Sequence, residues 1–170
     1  IVTNSTLPEK VEDLDQLPSQ FYFTIAAPNE RIYKKTCRPM IKNGWQEVMK
    51  TMELIDSLSC RTLMRLTAVK DLNFSEKYLK DYAKIVEKAN PDFFEIKGFT
   101  LQAKGLLIGE RLKSERHVAT FFPEYGYLKQ LAKEFQEISG FPLIYDNEPS
   151  RDFLFAVNWD ENEDPAIKSP

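Results

Sequence analysis

A regular alternation of strand-forming and helix-forming segments constrains the fold of this chain more than any other feature. Residues 21–26 are aromatic and β-branched and lie between two prolines, which is typical of a strand. Apolar residues recur at helical spacing over 43–59. A strand over 61–69, a helix over 79–86 and a strand over 92–97 continue the alternation. This order predicts parallel β/α units.

The end of the chain continues the pattern in shorter pieces. A third helix places apolar residues at helical spacing over 128–138 and ends at Gly140. Short strands follow over 143–146 and 153–158, and residues 1–3 read as the end of a further strand. We therefore expect an α/β fold with about four parallel units, a half barrel or a small open sheet, because a closed barrel needs about eight.

Two local features add to this outline. Asn73 is followed three residues later by Glu76, which predicts a capping box at the start of a helix. The segment 99–123 has no clear periodicity, and connections of this length are usually functional or disordered.

The composition limits the class of protein. A chain of 170 residues suits one domain, and 42% apolar with 29% charged residues is typical of a globular protein. Because no window approaches the roughly 20 apolar residues that span a bilayer, we expect no membrane association. With two cysteines a secreted disulfide framework is not expected, which favours a reducing, cytoplasmic location. The only cysteines, Cys37 and Cys60, form no metal-ligand pattern, so no metal site is predicted.

Charge is unevenly distributed along the chain. The net charge of −3 argues against nucleic-acid binding by the whole surface. Five basic residues and one acidic residue nevertheless give 29–42 a local charge of +4, and 104–117 is also basic. A local patch of this kind can contact phosphates. We expect 1–158 to form one domain and 159–170 to form an acidic, flexible tail.

Polar residues gather toward the carboxyl ends of the predicted strands, all on one face. Side chains alternate between the two faces of a strand. Buried charges must be paired or hydrated, and barrel enzymes bind ligands at the carboxyl ends of their strands. The pattern predicts a ligand site, with a structural ion-pair network (Glu95 with Arg65 or Lys97) as the alternative. The residues that share the polar faces are Tyr22, Thr24 and Ala26; Arg65 and Thr67; and Glu95 and Lys97.

Several segments, in order along the chain, together match the pattern of one known family. The most specific segments are Arg-Leu-Thr-Ala-Val-Lys at 65–70 and Asn-Pro-Asp-Phe-Phe-Glu-Ile-Lys-Gly at 90–98. Val-Thr-Asn-Ser-Thr at 2–6, Phe-Tyr-Phe-Thr-Ile-Ala-Ala-Pro at 21–28 and Glu-Pro-Ser-Arg at 148–151 add to the likeness. Together these segments resemble the 4-demethylwyosine synthases, which are radical SAM enzymes that modify tRNA. The resemblance covers most of the chain and is therefore stronger than any single motif.

The resemblance implies a partial TIM-type barrel of which this chain is the C-terminal half, without the N-terminal half that binds the cluster. In the family a 4Fe-4S cluster cleaves S-adenosylmethionine, and the radical acts on N1-methylguanosine 37 of tRNA(Phe). Carbons from pyruvate then complete 4-demethylwyosine in wybutosine biosynthesis. Because the Cys-x3-Cys-x2-Cys motif is absent here, we expect this chain alone to be inactive, with a separate N-terminal half chain as one candidate partner.

The resemblance also suggests roles for individual residues. Lysine can form a Schiff base with a keto acid, and arginine binds carboxylates in a bidentate manner. The candidates for catalysis or substrate orientation are Lys97, Glu95 and Lys70. The candidates for S-adenosylmethionine are Asn4, Thr24, Ala26, Arg65 and Thr67. The candidates for tRNA contact are Arg31, Lys34, Lys35, Arg38, Lys104 and Arg111.

One segment departs from the family pattern, and two other functions stay open. Residues 101–122 are longer than the corresponding basic loop of the family and differ from it in sequence, which puts substrate contacts there in doubt. The first alternative is a diverged, non-catalytic half barrel that binds tRNA or a partner protein. The second is an unrelated β/α-barrel lyase that uses a lysine Schiff base.

Overall fold

A six-stranded mixed sheet forms the centre of the computed structural model, which describes residues 1–101, 107–112 and 114–159. The strand order is β1-β2-β3-β4-β6-β5. The first four strands are parallel, β6 runs antiparallel to β4, and β5 runs antiparallel to β6. The strands are β1 (Val2–Thr3), β2 (Gln20–Thr24), β3 (Arg61–Ala68), β4 (Phe93–Gly98), β5 (Leu143–Asn147) and β6 (Asp152–Ala156).

Six α-helices accompany the sheet among the described residues. The expected helices near 43–59, 79–86 and 128–138 are confirmed, whereas α1, α2 and α5 were not predicted. None of the described helices combines the length and the hydrophobicity that crossing a membrane requires. The helices are α1 (Pro8–Glu12), α2 (Glu30–Cys37), α3 (Gly44–Leu54), α4 (Leu79–Ala89), α5 (Ile108–Leu112) and α6 (Tyr125–Ser139).

The main core lies between one face of the sheet and the helices. The strands contribute alternate residues to it, such as Met64 and Leu66 of β3 and Phe94 of β4, all completely buried. Phe94 packs against Phe135 of α6 with ring centres 5.1 Å apart, and Phe135 also contacts Phe155 of β6 at 5.0 Å. The predicted apolar face of the strands is therefore the face that the helices cover, and the polar side chains lie on the opposite face.

The parallel order ends at β4, because the last two strands form an antiparallel hairpin. Residues 148–151 connect β5 to β6, and a connection this short cannot make the crossover that parallel strands require. The four predicted parallel strands are thus confirmed, and the hairpin makes the sheet mixed.

The predicted capping box at Asn73 is wrong, because this side chain has a different structural role. Asn73 is buried, its Oδ1 accepts a hydrogen bond from the Val69 amide at 2.7 Å, and its Nδ2 donates to the carbonyls of Ala26 and Thr67 at 3.0 and 2.9 Å. The following 3₁₀ turn begins after Ser75 without a side-chain cap. Asn73 instead ties together the chain segments that follow β2 and β3.

We predict that Asn73→Ala lowers the free energy of unfolding by about 2–4 kcal/mol, because the buried Val69 amide and two partly buried carbonyls lose their partner. Urea denaturation followed by circular dichroism measures this change. Asn43→Ala is the matched control: Asn43 is exposed and makes no capping hydrogen bond to α3, so its loss should cost no more than about 0.5 kcal/mol. Equal losses for the two variants would contradict the role of Asn73.

Candidate functional site

The face of the sheet opposite the helices carries two rows of polar side chains toward the carboxyl ends of the parallel strands. Strand register sets these rows, since paired residues on neighbouring strands project to the same side. A first, mostly apolar row of Tyr22, Leu63 and Phe93 lies nearer the strand starts. We call the two rows beyond it the polar face; they consist of Thr24, Arg65 and Glu95, and of Thr67, Lys97 and Asp152.

Arg65 and Glu95 form the centre of the polar face. They are register partners on β3 and β4, and Arg65 Nε donates to Glu95 Oε2 in an ion pair. The Glu95 side chain is only 10% exposed and that of Arg65 is 30% exposed, so the pair is largely withdrawn from water. The guanidinium also lies 4.5 Å from the ring centre of Tyr22. These contacts fix the orientation of Arg65 and agree with the ion pair that sequence analysis left open.

Lys97 has a partner that sequence analysis missed. Its ammonium nitrogen lies 2.8 and 2.9 Å from the two carboxylate oxygens of Asp152. Asp152 faces Lys97 because β6 runs antiparallel to β4 and places the first residue of β6 beside the end of β4. The short connection before β6 predicts that β6 pairs with β5, but it does not specify that β6 lies next to β4. The sequence-based alternative of Glu95 with Lys97 is not observed.

A pocket of about 280 Å³ lies beside the polar face, where β1 and β2 end. Three of the residues proposed for S-adenosylmethionine, Asn4, Thr24 and Ala26, line it together. Asn4 Oδ1 accepts hydrogen bonds from the amide and hydroxyl of Thr6 at 3.2 and 2.7 Å, which orients the Asn4 amide group. The pocket wall is completed by Thr6, Tyr33, Cys37, Pro39, Met40, Ile41 and Val48.

The other two proposed cofactor residues lie outside this pocket lining. Arg65 is the register partner of Thr24, so its side chain adjoins the pocket from the next strand. Thr67 is exposed one row further along β3. The structure therefore brings Asn4, Thr24 and Ala26 into one pocket and leaves Arg65 and Thr67 on the neighbouring part of the sheet.

Lys70 lies apart from the other predicted catalytic residues. It follows β3, and its backbone amide donates to the Phe121 carbonyl at 3.0 Å. Its ammonium group lies 4.9 Å from the ring centre of Tyr127. Lys70 thus packs against the segment that leads into α6, whereas Lys97 and Glu95 lie on the polar face.

The basic residues after β2 form an exposed surface on α2. Asn29 caps this helix by accepting a hydrogen bond from the Ile32 amide at 3.1 Å. Ile32 and Tyr33 bury one side of α2, so the basic side chains project from the other side. Lys34 forms an ion pair with Glu30 at 2.8 Å. The predicted tRNA residues on this surface are Arg31, Lys34, Lys35 and Arg38, all exposed.

The remaining predicted tRNA residues are not part of that surface as described. Lys104 lies outside the described residues. Arg111 belongs to α5, but the position of its side chain is also outside the description.

Trp159, the first residue of the predicted tail, packs on Phe93 with ring centres 5.6 Å apart, and 160–170 lie beyond the described part of the chain.

Curated proteins similar to this chain share one name. An S-adenosyl-L-methionine-dependent tRNA 4-demethylwyosine synthase from Pyrococcus abyssi is 34% identical over 155 residues, which cover 89% of this chain and 42% of that protein. The human S-adenosyl-L-methionine-dependent tRNA 4-demethylwyosine synthase TYW1 is 36% identical over 100 residues, 59% of this chain and 13% of that protein. The chain thus spans less than half the length of these relatives. No protein-family model matches it.

Solved structures agree with this likeness. A structure described as TYW1 with a lysine-pyruvate adduct bound superposes with a TM-score of 0.73 at 25% identity and covers 92% of this chain and 46% of that chain. A crystal structure of archaeal TYW1 has a TM-score of 0.68 at 22% identity over 92% of this chain and 45% of that one, and it supports the fold. The resemblance seen in the sequence is therefore confirmed.

We predict that Glu95→Ala lowers the free energy of unfolding by about 1–3 kcal/mol, because Arg65 is left without its partner on a partly buried face. Glu53→Ala is the control, since Glu53 forms an exposed ion pair with Lys88 and should contribute no more than about 1 kcal/mol. Chemical denaturation of both variants tests the difference. If Glu95→Ala lowers the free energy of unfolding by less than Glu53→Ala does, the burial of the Arg65–Glu95 pair does not increase its contribution to stability.

Proposed function

We propose, on the premise that this chain is homologous to the tRNA 4-demethylwyosine synthases over most of its length, that it forms the substrate-holding part of such an enzyme. The reaction would join carbons from pyruvate to N1-methylguanosine 37 of tRNA(Phe), giving 4-demethylwyosine in wybutosine biosynthesis. The observation that carries the proposal is the grouping of Asn4, Thr24 and Ala26 in one pocket beside the ion-paired residues of the polar face.

The chain would supply the C-terminal half of a TIM-type barrel. Four parallel strands with helices on one face have the arrangement of such a half, and the polar face would then line the interior. β1 lies at the edge of the sheet, where a strand of the N-terminal half would continue the parallel order. The likeness to TYW1 structures over 92% of this chain and under half of those chains supports the same division.

S-adenosylmethionine would bind in the pocket at the ends of β1 and β2. Asn4 offers an amide that can hydrogen-bond to ribose hydroxyls, and Thr24 and Ala26 offer a small, partly polar wall. The iron–sulfur cluster of the family does not fit the residues of this chain, which has only two cysteines. No group of three or more His, Cys, Asp or Glu within the described ranges is placed to hold a metal. We therefore assign the cluster to the part of the enzyme that this chain does not match.

The charged residues of the polar face would hold the reacting substrates. Arg65, oriented by Glu95 and Tyr22, presents a planar guanidinium suited to a carboxylate such as that of pyruvate or of the methionine group. Lys97 would orient substrate as a cation held by Asp152. A Schiff base forms from a neutral amine, so this ion pair favours the orienting role over a nucleophilic one.

The exposed basic side of α2 would contact the tRNA backbone. Two of its cations lie next to the pocket, since Lys34 and Arg38 border a shallow groove of about 410 Å³ that shares Pro39, Met40 and Ile41 with the pocket wall. Contacts of this kind supply affinity and orientation without reading sequence. The non-catalytic alternative would keep this surface and dispense with the polar face.

A hybrid enzyme tests the proposal. This chain would replace the segment that it matches in the Pyrococcus abyssi synthase, and mass spectrometry of digested tRNA would measure 4-demethylwyosine. We expect product from the hybrid and a loss of about a hundredfold or more in rate for Lys97→Met, because misplaced substrate is costly to reaction rates. Lys88→Met is the matched control, since Lys88 also pairs with a carboxylate but in an exposed position.

Circular dichroism and tRNA binding must accompany the activity measurement. A folded hybrid that binds tRNA and forms no product would favour the non-catalytic half barrel. Equal activity of the Lys97→Met and Lys88→Met hybrids would contradict the proposed role of Lys97 in orienting substrate.

A further inference from the structure

Arg151 occupies a backbone position that ordinary side chains avoid. It ends the turn between β5 and β6 with a φ of +53°, in the left-handed region where glycine and asparagine are favoured. The turn is tightly built, because Asn147 Oδ1 accepts hydrogen bonds from the Ser150 amide and hydroxyl at 3.1 and 2.9 Å. The Arg151 carbonyl accepts from the Gly98 amide at 2.9 Å. A strained residue of this kind is a candidate for a functional role when its side chain is also held in place.

The Arg151 side chain is held in place by its neighbours. Its guanidinium carbon lies 4.0 Å from the ring centre of Phe122. A Cβ atom added at Gly98 would come within 3.0 Å of Arg151 Cβ and Nε and of Leu128 Cδ1, so glycine at the end of β4 leaves the space that Arg151 fills. The guanidinium is thus fixed against the end of β4 before any ligand arrives.

Within the described part of the chain, Arg151 has no ionic partner. Its Nε is buried and makes no hydrogen bond there. Arg65, by contrast, pairs with Glu95, and Arg116 pairs with Asp71 at 2.8 Å. A buried donor without a partner is costly. The fixed and unpaired guanidinium is therefore suited to an anion supplied from outside this fold.

A second cation, Lys70, packs against the same short segment of chain. Lys70 donates its backbone amide to Phe121, the neighbour of Phe122, and its ammonium lies over the ring of Tyr127. The Tyr127 hydroxyl donates to the Phe74 carbonyl at 3.2 Å, which holds the ring. Lys70, like Arg151, forms no ion pair with the described residues. Residues 121–127 thus support both unpaired cations through aromatic rings.

We propose that Arg151, assisted by Lys70, binds an oxyanion group beyond the carboxyl end of β4. The planar guanidinium suits phosphate and carboxylate oxygens, and the Lys70 ammonium, held against the same segment 121–127, adds positive charge without a geometric requirement. The oxyanion comes from a small carboxylate, from free phosphate or from an RNA backbone, which present the same chemistry. The inference rests on contacts within this chain and does not depend on the proposed enzyme activity.

Side-chain NMR of the ¹⁵N-labelled 170-residue chain tests this site. The Nε–H signal of Arg151 is assigned by its absence from the spectrum of Arg151→Lys. When an oxyanion is added at constant ionic strength, the chemical shift of this signal should change and reach saturation. Arg116 is the internal control, because it also lies over a phenylalanine ring but already pairs with Asp71, and its signal should stay in place. Lys70→Gln should weaken binding about tenfold, as expected for the loss of one charged contact.

Three separate titrations distinguish the sources. A shift with pyruvate alone indicates a small carboxylate, a shift with inorganic phosphate indicates free phosphate, and a shift with unmodified tRNA alone indicates its backbone. No saturable shift of the Arg151 signal with any of the three would overturn the proposal.

Arg151→Asn separates a binding role from a structural one. Asparagine accepts the left-handed conformation, so the variant should have an unchanged or higher Tm and should lose oxyanion binding. This is the pattern expected where a residue is kept for function at a cost in stability. The opposite result is a lower Tm for Arg151→Asn with unchanged affinity for the same oxyanion. That result would show that Arg151 stabilises the fold and does not bind the anion. The anion affinity of Arg151→Asn is measured from the chemical shift of the Gly98 backbone amide, which donates to the carbonyl of residue 151.

Discussion

The parallel register of β2, β3 and β4 is the constraint on which the rest of the structure depends. It pairs Thr24 with Arg65 and Arg65 with Glu95, and one row further it pairs Thr67 with Lys97. A slip of one residue on any strand would exchange its two faces. Completely buried residues such as Met64 and Phe94 would then face away from the helices, and charges would enter the core. The burial of the apolar face therefore also determines where the functional side chains lie.

The sequence predicted those parts of the molecule that follow from periodicity. Strands with one apolar face and helices with a strong apolar stripe have clear signals. Alternation places Glu95 and Lys97 on one face of β4, and burial of the apolar face of β3 places Arg65 on the same side of the sheet. Helix α2 was missed because only Ile32 and Tyr33 of its eight residues are buried, which leaves little periodicity to detect.

Contacts between distant segments were not predictable in the same way. Asp152 meets Lys97 only because β6 enters the sheet next to β4 in the antiparallel direction, a choice of strand order that no local pattern specifies. Asn73 followed by Glu76 matched a capping box, yet hydrogen bonds to the Ala26 carbonyl after β2 and to the Thr67 carbonyl near the end of β3 determine its role. Asp152 is 55 residues from Lys97, and Ala26 is 47 residues from Asn73.

The ion pair of Arg65 and Glu95 can be tested for whether the polar face holds substrate or only stabilises the fold. Replacing both members of a buried pair by apolar residues is often neutral or stabilising, so Arg65→Met combined with Glu95→Leu should leave the fold intact. The decisive measurement is 4-demethylwyosine formation by the hybrid enzyme that carries this double substitution. If the polar face holds substrate, the doubly substituted hybrid keeps its Tm and loses at least about a hundredfold in rate. Full activity at an unchanged Tm would contradict the assignment of the polar face as the substrate site.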